Sequence, residues 1–254
     1  MQEYKPKPRE VAGELLESYL LEQKLRPGDR LPSERDLSKA WGLSRSTLRS
    51  ALARMEKNGL LCAKRGSGSY LTPPKYTRHL QGLQSLSQSA AEQGRVVTTR
   101  LLSIKRVECD KNLARHFNRT LGYLLYKIVR LRRLDGEPVM LETAYIPTER
   151  VGNLEKKNLE TGSLFKVLEK EYGLIPKKGE EKIGITYATA DEAELMGIRE
   201  DAPLFWIVSQ TYDQWGRLME YCHTAARPDR LRIASVLERR DPATEERRRR
   251  PNAK

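Results

Sequence analysis

Apolar residues recur at a helical period in three segments of the first sixty residues. The first segment, "REVAGELLESYLLEQ", places Val11, Leu15 and Tyr19 on one stripe, as expected for an amphipathic helix. Pro27 and Gly28 then interrupt the pattern, because both residues favour turns over continued helix. The pattern therefore predicts one amphipathic helix followed by a turn.

The second and third helical segments are separated by a very short connection. Ser33 is an N-cap candidate for "ERDLSKAW", and Gly42 is a candidate for the residue that ends that helix. After "GLS", Ser44 can cap a third helix that extends to about Asn58. Two helices joined by about three residues are typical of a helix-turn-helix.

The segment that follows the third helix has the pattern of a β-hairpin. Residues 60–64 and 69–72 predict two short strands, and "RGSG" between them predicts a tight turn. Three helices followed by a hairpin constitute a winged helix-turn-helix. We assign this domain to residues 5–74.

The third helix has two contrasting faces. Its inward face is apolar and consists of Leu48, Ala51, Leu52 and Met55. Its other side carries small or hydrogen-bonding side chains, namely Ser46, Thr47, Arg49, Ser50 and Ala53. Small side chains let a helix enter the DNA major groove, where arginine pairs with guanine and a threonine methyl contacts thymine. A solvated polar face with a serine cap is the alternative. The short turn and the basic hairpin favour DNA binding.

Contacts to the DNA backbone are predicted on either side of this helix. Ser33 and Arg35 begin the second helix, where free N–H groups bind anions. Two basic residues and two glycines of the hairpin would let it approach the DNA backbone or minor groove. The full predicted DNA-binding set is Ser33, Arg35, Ser44, Arg45, Ser46, Thr47, Arg49, Lys64, Arg65, Gly66 and Gly68.

Residues 25–71 resemble the DNA-binding domain of the GntR family of bacterial transcription regulators. The elements "PGDRLPSERDL", "SRSTLRSAL" and "GSGSYL" occur in the family's order and at its distances. In that family, the matching residues that contact DNA are Arg35, Arg45, Thr47, Arg49 and Gly66. The resemblance also implies a homodimer that binds a palindromic operator of double-stranded DNA.

From Val96 onwards the pattern changes to strands mixed with short helices. "YLLYKIVRLRRL" and "PVMLETAYI" flank Asp135 and Gly136, which is a hairpin signal. A second hairpin is predicted around Trp215 and Gly216. Hairpins interspersed with isolated helices indicate an α+β domain with a mainly antiparallel sheet. We assign it to residues 96–238, preceded by a linker and the start of this domain at 75–95. The polar stretch up to Gln88 is expected to be the linker.

Charged residues share strand faces with apolar residues in this second domain. Arg130 and Arg132 lie on one side of their strand, Glu142 lies beside Met140, and Glu220 lies beside Cys222. Buried charges are costly unless they are paired or bind a ligand. Internal Arg–Glu salt bridges and a small polar ligand are therefore both possible explanations at this point.

Residues 80–237 resemble the UTRA effector-binding domain of the HutC subfamily, which has a chorismate-lyase-like fold. The resemblance rests on "IVRLRRLDGEPVMLETAYIP", "GSLFKVLEKEYG" and "GRLMEYCHTAARPDRLRI". It implies a small-molecule effector site formed by Leu86, Ser87, Arg130, Arg132, Glu142, Ser163, Phe165 and Glu220. The two arginines favour an anionic or phosphorylated effector.

The net charge of +13 is concentrated at the two ends of the chain. A basic surface favours polyanions such as nucleic acid. The segment 239–254 contains four consecutive arginines and no apolar period. We expect a disordered, solvated tail there, and non-specific attraction to DNA is the alternative.

The remaining candidate chemistry is sparse. Cys62, Cys109 and Cys222 suggest no disulfide framework, and no Cys/His group has zinc-ligand spacing. Cys222 and His223 are adjacent, but neighbours in a strand point to opposite faces and would not form a catalytic pair. We expect no metal, no cofactor and no membrane span. "MQEYKPKPRE" lacks the apolar core of a signal peptide, so we expect a cytoplasmic location.

These observations predict a DNA-binding transcription regulator whose operator affinity is controlled by an effector, and more specifically a repressor. Two alternatives remain at this point. One is an enzyme of chorismate-lyase-like fold fused to a DNA-binding head. The other is a constitutive DNA-binding protein whose second domain is structural.

Overall fold

A computed structural model describes residues 8–23, 25–64, 66–72, 75–160 and 163–237. Three helices come first: α1 (Pro8–Glu22), α2 (Glu34–Trp41) and α3 (Arg45–Lys57). Ser33 caps α2, and Gly42 ends it in the left-handed region with a φ of 63°. Ser44 caps α3 by accepting a hydrogen bond from the Thr47 amide. The predicted helix-turn-helix and both predicted serine caps are confirmed.

The hairpin after α3 consists of β1 (Leu61–Lys64) and β2 (Gly68–Leu71), paired antiparallel. Leu60, which the sequence predicted as the first strand residue, precedes the strand and is exposed. Gly66 and Gly68 have φ values of 74° and 114°, which L-residues with a side chain adopt only at a steric cost. The two glycines therefore make the tight return of the wing possible.

The N-terminal domain is held together by one apolar cluster. Its members come from all three helices, from β1 and from the segment between α1 and α2, which supplies Leu31. They are Ala12, Leu16, Leu31, Leu37, Leu48, Ala51, Leu52, Met55 and Leu61. All are at most 5% exposed. Burial of each large apolar side chain contributes roughly 1.5–3 kcal/mol. The predicted inward face of α3 is confirmed, and its other face is left for contacts outside the domain.

The C-terminal domain is built on a six-stranded antiparallel sheet. The strands are β4 (Val97–Glu108), β5 (Leu124–Leu134), β6 (Glu137–Pro147), β7 (Pro176–Tyr187), β8 (Pro203–Asp213) and β9 (Leu218–Ala226). Their order in the sheet is β4-β5-β6-β9-β8-β7. Both predicted hairpin turns are present, with β5 followed by β6 and β8 followed by β9. The α+β prediction with a mainly antiparallel sheet is confirmed.

Helices cover the two faces of this sheet unequally. They are α4 (Leu86–Glu92), α5 (Lys111–Phe117), α6 (Leu164–Tyr172) and α7 (Ala190–Met196), with short 3-10 turns at Thr148–Arg150 and Leu154–Lys156. One face packs against α5 through Leu113 and against α7 through Met196. The other packs against α6 through Leu164 and Leu168. This second face also carries the charged side chains singled out from the sequence.

The segment that joins the two domains differs from the sequence prediction. We expected a polar linker up to Gln88, and this is wrong at two places. Residues Tyr76–His79 form β3, which pairs in parallel with β10 (Leu231–Ala234), and α4 begins at Leu86. Residues 75–88 are mostly polar, so neither element is evident from the sequence. A four-residue strand that pairs with the distant end of the domain is too short to show a clear alternation of apolar and polar residues. Residues 5–7, Arg65, 73–74 and the 239–254 tail lie outside the described residues.

Candidate functional site

The N-terminus of α3 carries a cluster of hydroxyl groups. Ser44 Oγ accepts a hydrogen bond from the Thr47 amide at 3.1 Å. The same oxygen lies 2.9 Å from Ser46 Oγ and 2.8 Å from Thr47 Oγ1. Arg45 and Ser46 are exposed and Thr47 is half-buried. The hydroxyl groups at the start of α3 therefore serve in part to cap the helix, while the exposed Arg45 side chain can reach outward.

Arg49, one turn further along α3, is held by Glu34, which is not among the residues predicted to bind DNA. Its Nε and Nη2 atoms donate to Glu34 Oε2 at 3.2 and 2.9 Å. This hydrogen bonding, together with the carboxylate charge, raises the pKa of Arg49 above its usual value. Glu34 is the first residue of α2, where an acidic side chain is common because the helix dipole favours it.

At the start of α2, the Ser33 hydroxyl is already engaged within the helix. It accepts from the Asp36 amide at 3.2 Å and donates to Asp36 Oδ2 at 2.6 Å. This bond is the main reason why the pKa of Asp36 is lowered. Arg35 is exposed beside it, with Nε 3.7 Å from the Asp36 carboxylate. Ser33 and Arg35 are both predicted to contact the DNA backbone, and of the two, Arg35 has the more available side chain.

The wing and α3 lie on the same side of the N-terminal domain. A groove between them is lined by Glu34, Arg49, Ala53, Glu56, Lys64, Gly66 and Gly68, among others. Lys64 Nζ lies 4.5 Å from the ring centre of Tyr70, which orients the lysine along the wing. Of the predicted DNA-binding set, the groove brings together Arg49, Lys64, Gly66 and Gly68. Arg65 lies outside the described residues.

A cavity of about 470 Å³ lies on the charged face of the C-terminal sheet. Strands β5, β6, β9, β8 and β7 form its floor. The chain from β3 to α4 and the first turn of α6 form its walls. Its predicted lining residues are Leu86, Arg130, Arg132, Glu142, Ser163, Phe165 and Glu220. Ser87 joins them indirectly through a hydrogen bond to Arg132.

Glu142 bridges the two arginines of the cavity. Arg130 Nη2 donates to Glu142 Oε2 at 2.7 Å, and Arg132 Nη1 reaches the same oxygen at 3.1 Å. Arg132 Nη2 also donates to Ser87 Oγ at 2.8 Å. Burial raises the pKa of Glu142, but the charges of Arg132 and Arg130 outweigh it, and the net pKa is lowered. The internal salt bridges that the sequence left as one explanation are therefore present.

These salt bridges do not use all the buried donors of the cavity. Among the described residues, Arg130 Nε and Nη1, Arg132 Nε, Arg78 Nη1 and Ser163 Oγ have no hydrogen-bond partner. Ser163 occupies the N-cap position of α6 without capping it through its side chain. A buried donor without a partner costs about 1–3 kcal/mol. So many free donors around one cavity indicate a site for a ligand rich in acceptor oxygens.

Glu220 is the one acidic group here that has no salt bridge within the described residues. Burial raises its pKa to about 7, and the nearby negative charge of Glu142 adds to this effect. The Arg130 charge and a hydrogen bond with Thr211 act in the opposite direction but do not overcome it. Near neutral pH, Glu220 can therefore act as a hydrogen-bond donor as well as an acceptor.

Some lining residues were not found from the sequence. Arg78 lies on β3 and forms a salt bridge with Glu181 on β7. Leu83, in the loop before α4, packs against Gly179 on β7, where an added methyl carbon would lie 2.5 Å from Leu83 Cδ1. Both Gly179 and Glu181 lie in the first half of β7, whose sequence "PKKGEE" is polar and has no alternation of apolar residues that would indicate a strand.

Cys222 and His223 point to opposite faces, as predicted. Cys222 lines the cavity, and burial raises its pKa well above the usual value. His223 lies among Tyr145, Trp206 and Tyr221 on the other face. In the described part of the chain, no group of three metal-ligating residues could hold a metal ion. The helices of that part are all too short or too polar to cross a membrane.

Two family models match the chain. Residues 8–71 match the family described as bacterial regulatory proteins, gntR family, and residues 92–232 match the UTRA domain. The first match covers the helix-turn-helix and the wing. The second covers all six strands of the large sheet. Together they agree with the two-domain architecture.

Named relatives match over nearly their whole length. The transcriptional repressor NagR of Bacillus subtilis is 30% identical over 227 residues, which is 89% of this chain and 93% of NagR. The Escherichia coli repressor MngR, of a mannosyl-D-glycerate transport and metabolism system, is 24% identical over 93% of this chain and 98% of its own. The crystal structure of PhnF from Mycobacterium smegmatis has a TM-score of 0.66 at 25% identity, over 90% of this chain and 100% of PhnF.

Proposed function

We propose that this chain, which belongs to the HutC subfamily of the GntR family of bacterial transcription regulators, is a repressor. An anionic effector would control its binding to the operator. The family membership makes it a DNA-binding regulator with an effector domain and sets the enzyme alternative aside. Its relatives NagR and MngR are named repressors, which supports repression here. The expected location is the cytoplasm, where a repressor meets its operator.

The proposed DNA site is the surface formed by α2, α3 and the wing. Arg45, Thr47 and Arg49 would contact bases in the major groove, while Arg35 and Lys64 would contact the backbone. The exposure of Arg35, Arg45 and Arg49, and the placement of the wing beside α3, support this assignment. We further propose that two chains act as a homodimer on a palindromic operator, with half-sites about one helical turn apart or less.

The proposed effector site is the cavity on the C-terminal sheet. The observation that carries this proposal is the set of buried donors without partners on Arg130, Arg132, Arg78 and Ser163. Guanidinium groups pair with carboxylates and phosphates through two parallel hydrogen bonds. An anionic or phosphorylated small molecule would satisfy these donors and offset the buried positive charge. Glu220, which lines the same cavity, would bind a polar group of the same molecule.

The link between the two sites is a short stretch of chain. The loop at 80–85 lines the cavity and connects β3 to α4, and β3 follows the wing after four intervening residues. An effector that contacts this loop would bind one arrangement of the linker better than another. Such differential binding shifts the population of DNA-binding states. The operator affinity would change as a result.

The proposal can be tested with simple anions before the natural effector is identified. Inorganic phosphate, a sugar phosphate and a neutral sugar are compared for their effect on the melting temperature of the whole protein. Ligands that bind the folded state raise this temperature. We expect the anions to raise it and Arg130→Gln to remove that response. A response to the neutral sugar alone would overturn the anionic assignment.

A constitutive DNA-binding protein would behave differently in one respect. Operator affinity, measured by fluorescence anisotropy, would then stay the same with every compound that raises the melting temperature. The donor-rich cavity argues against this, because unliganded buried donors reduce stability without any gain.

A further inference from the structure

The salt bridge between Glu34 and Arg49 joins the first residue of α2 to α3, the helix proposed to read bases in the major groove and called the recognition helix below. Both Nε and Nη2 of Arg49 donate to the same oxygen, Glu34 Oε2, at 3.2 and 2.9 Å. The two residues are fifteen positions apart in the chain. The bond therefore depends on the way α2 and α3 are joined by the short turn.

Stability does not explain this interaction. The Arg49 side chain is 72% exposed and that of Glu34 is 39% exposed. Exposed ion pairs contribute little to stability, because water and salt screen them and two long side chains must be ordered. What the pair does accomplish is to fix the direction of one long side chain on the surface proposed to face DNA.

The donors that remain free on Arg49 are the ones that a guanine needs. A guanidinium group has five N–H donors in a fixed plane. Glu34 occupies the edge that includes Nε, which leaves the two protons of Nη1 and one of Nη2. Neighbouring protons on Nη1 and Nη2 form a fork that matches O6 and N7 of guanine. Held in this way, Arg49 presents the fork end-on, away from Glu34.

A carboxylate at this place also has a cost for binding. Glu34 lines the groove between α3 and the wing, where phosphates would approach. Its negative charge repels them and lowers the affinity for every DNA sequence. A second carboxylate, Glu56, lines the same groove but is not bonded to Arg49 in the described structure. The two acidic residues thus share the repulsion, and Glu34 differs from Glu56 by its contact with Arg49.

We propose that Glu34 is a specificity-determining residue, which positions the Arg49 guanidinium for a guanine at the cost of general DNA affinity. This inference rests on the proposed role of Arg49 in reading a base. Glu34 itself contacts no base in this account. It acts by restricting the orientations of Arg49, so that a mismatched base meets a fork that cannot turn towards another acceptor.

The experiment compares Glu34→Gln with Glu56→Gln in the full-length protein. A binding sequence is first selected with the wild-type protein from a library of random double-stranded DNA. The dissociation constants for that sequence and for a random duplex are then measured by anisotropy at two salt concentrations. Both variants remove one negative charge from the same groove. Both should therefore bind random DNA a few-fold more tightly, so this shared effect serves as the charge control.

The expected difference lies in the ratio of the two dissociation constants. Glu34→Gln should reduce the discrimination between selected and random DNA about fivefold to tenfold, and Glu34→Ala should reduce it at least as much. Glu56→Gln should leave the discrimination unchanged. Adding Glu34→Gln to Arg49→Ala should cause no further loss. Melting temperatures within a degree or two of the wild type show that folding is intact.

Two outcomes separate this inference from the assignment on which it rests. If Arg49→Ala lowers discrimination but Glu34→Gln matches Glu56→Gln, the positioning role is wrong and the recognition helix stands. If Arg49→Ala leaves discrimination intact, Arg49 does not read a base, and the positioning role of Glu34 fails with it.

Discussion

Arg130 and Glu142 face each other across β5 and β6, and Nη2 of the arginine donates to Oε2 of the glutamate at 2.7 Å. Their side chains are 5% and 13% exposed. The pair is thus a buried ion pair, whose disruption leaves an uncompensated charge. Arg130 also has two further donors without partners, so its charge is only partly used within the protein.

Replacement of Arg130 by methionine should lower both stability and anion affinity. Loss of one partner of a buried pair costs about 3–5 kcal/mol, and we expect about 3 kcal/mol because Arg132 still neutralises Glu142. The free energy of unfolding is measured with urea. The double variant Arg130→Met/Glu142→Gln should recover part of the loss, since it no longer buries an unpaired carboxylate. No recovery would argue that Arg130 acts through packing.

The recognition helix can be tested by comparing two cationic residues. Arg49→Ala should lose about 1–3 kcal/mol of discrimination between operator and random DNA, because a base contact distinguishes sequences. Lys64→Ala should weaken binding to both DNAs by a similar factor and lower the salt dependence, because a phosphate contact carries no sequence information. The measurement is the dissociation constant for each DNA at several salt concentrations. Equal losses on both DNAs for Arg49→Ala would contradict the base-reading role.

The packing of Leu83 on Gly179 should affect effector binding. In Gly179→Ala the new methyl would lie 2.5 Å from Leu83 Cδ1, so the leucine must move. We expect a several-fold weaker effector affinity, because the loop that carries Leu83 forms a wall of the cavity. Stability should change by less than about 1 kcal/mol, since the contacting atom is the end of a flexible side chain.

Gly184→Ala is the matched control for this variant. Gly184 lies on the same strand, and nothing lies within 4 Å of the position of its added carbon. Both substitutions reduce the freedom of the unfolded chain equally. The difference between the two variants, measured by titration with phosphate, therefore isolates the contact with Leu83. Identical affinities would show that the loop does not depend on this contact.

Glu220 should make stability and anion binding depend on pH. Its folded-state pKa of about 7 lies above its unfolded value of 4.5. The folded state therefore binds more protons between these values, and the free energy of unfolding falls as the pH rises from about 4.5 to 7. The loss is on the order of 2–3 kcal/mol. Glu220→Gln, which cannot ionise, should remove this component from the pH profile of urea unfolding.

Anion affinity should follow the same titration. Above pH 7 an ionised Glu220 adds a negative charge beside Arg130, and the affinity for inorganic sulfate should fall by roughly tenfold between pH 6 and pH 8. Sulfate keeps its own charge over this range, so the change reports the protein. Glu220→Gln should show a flat profile. A wild-type profile that is equally flat would place the anion away from Glu220.

The sequence was most informative where function and fold use local patterns. The caps at Ser33 and Ser44 and the inward face of α3 follow from residue spacing, and so do the strand faces of Arg130 and Glu142. It was least informative where distant segments meet. The pairing of β3 with β10 and the bond from Glu34 to Arg49 join residues that are far apart in the sequence and meet only when the chain has folded. Neither leaves a period or a motif in the residues involved.

The parallel pairing of β3 with β10 limits how far the DNA-binding domain can move. Four residues separate Leu71, which ends the wing, from Tyr76, which is already fixed beside Leu231. A fully extended chain spans at most about 3.6 Å per residue, so these five steps reach no more than about 18 Å. A short connecting segment therefore limits the distance between each recognition helix and β10, the last strand of the effector domain. In a dimer, the length of this connecting segment would set an upper limit on the distance between the two half-sites that the protein can occupy together.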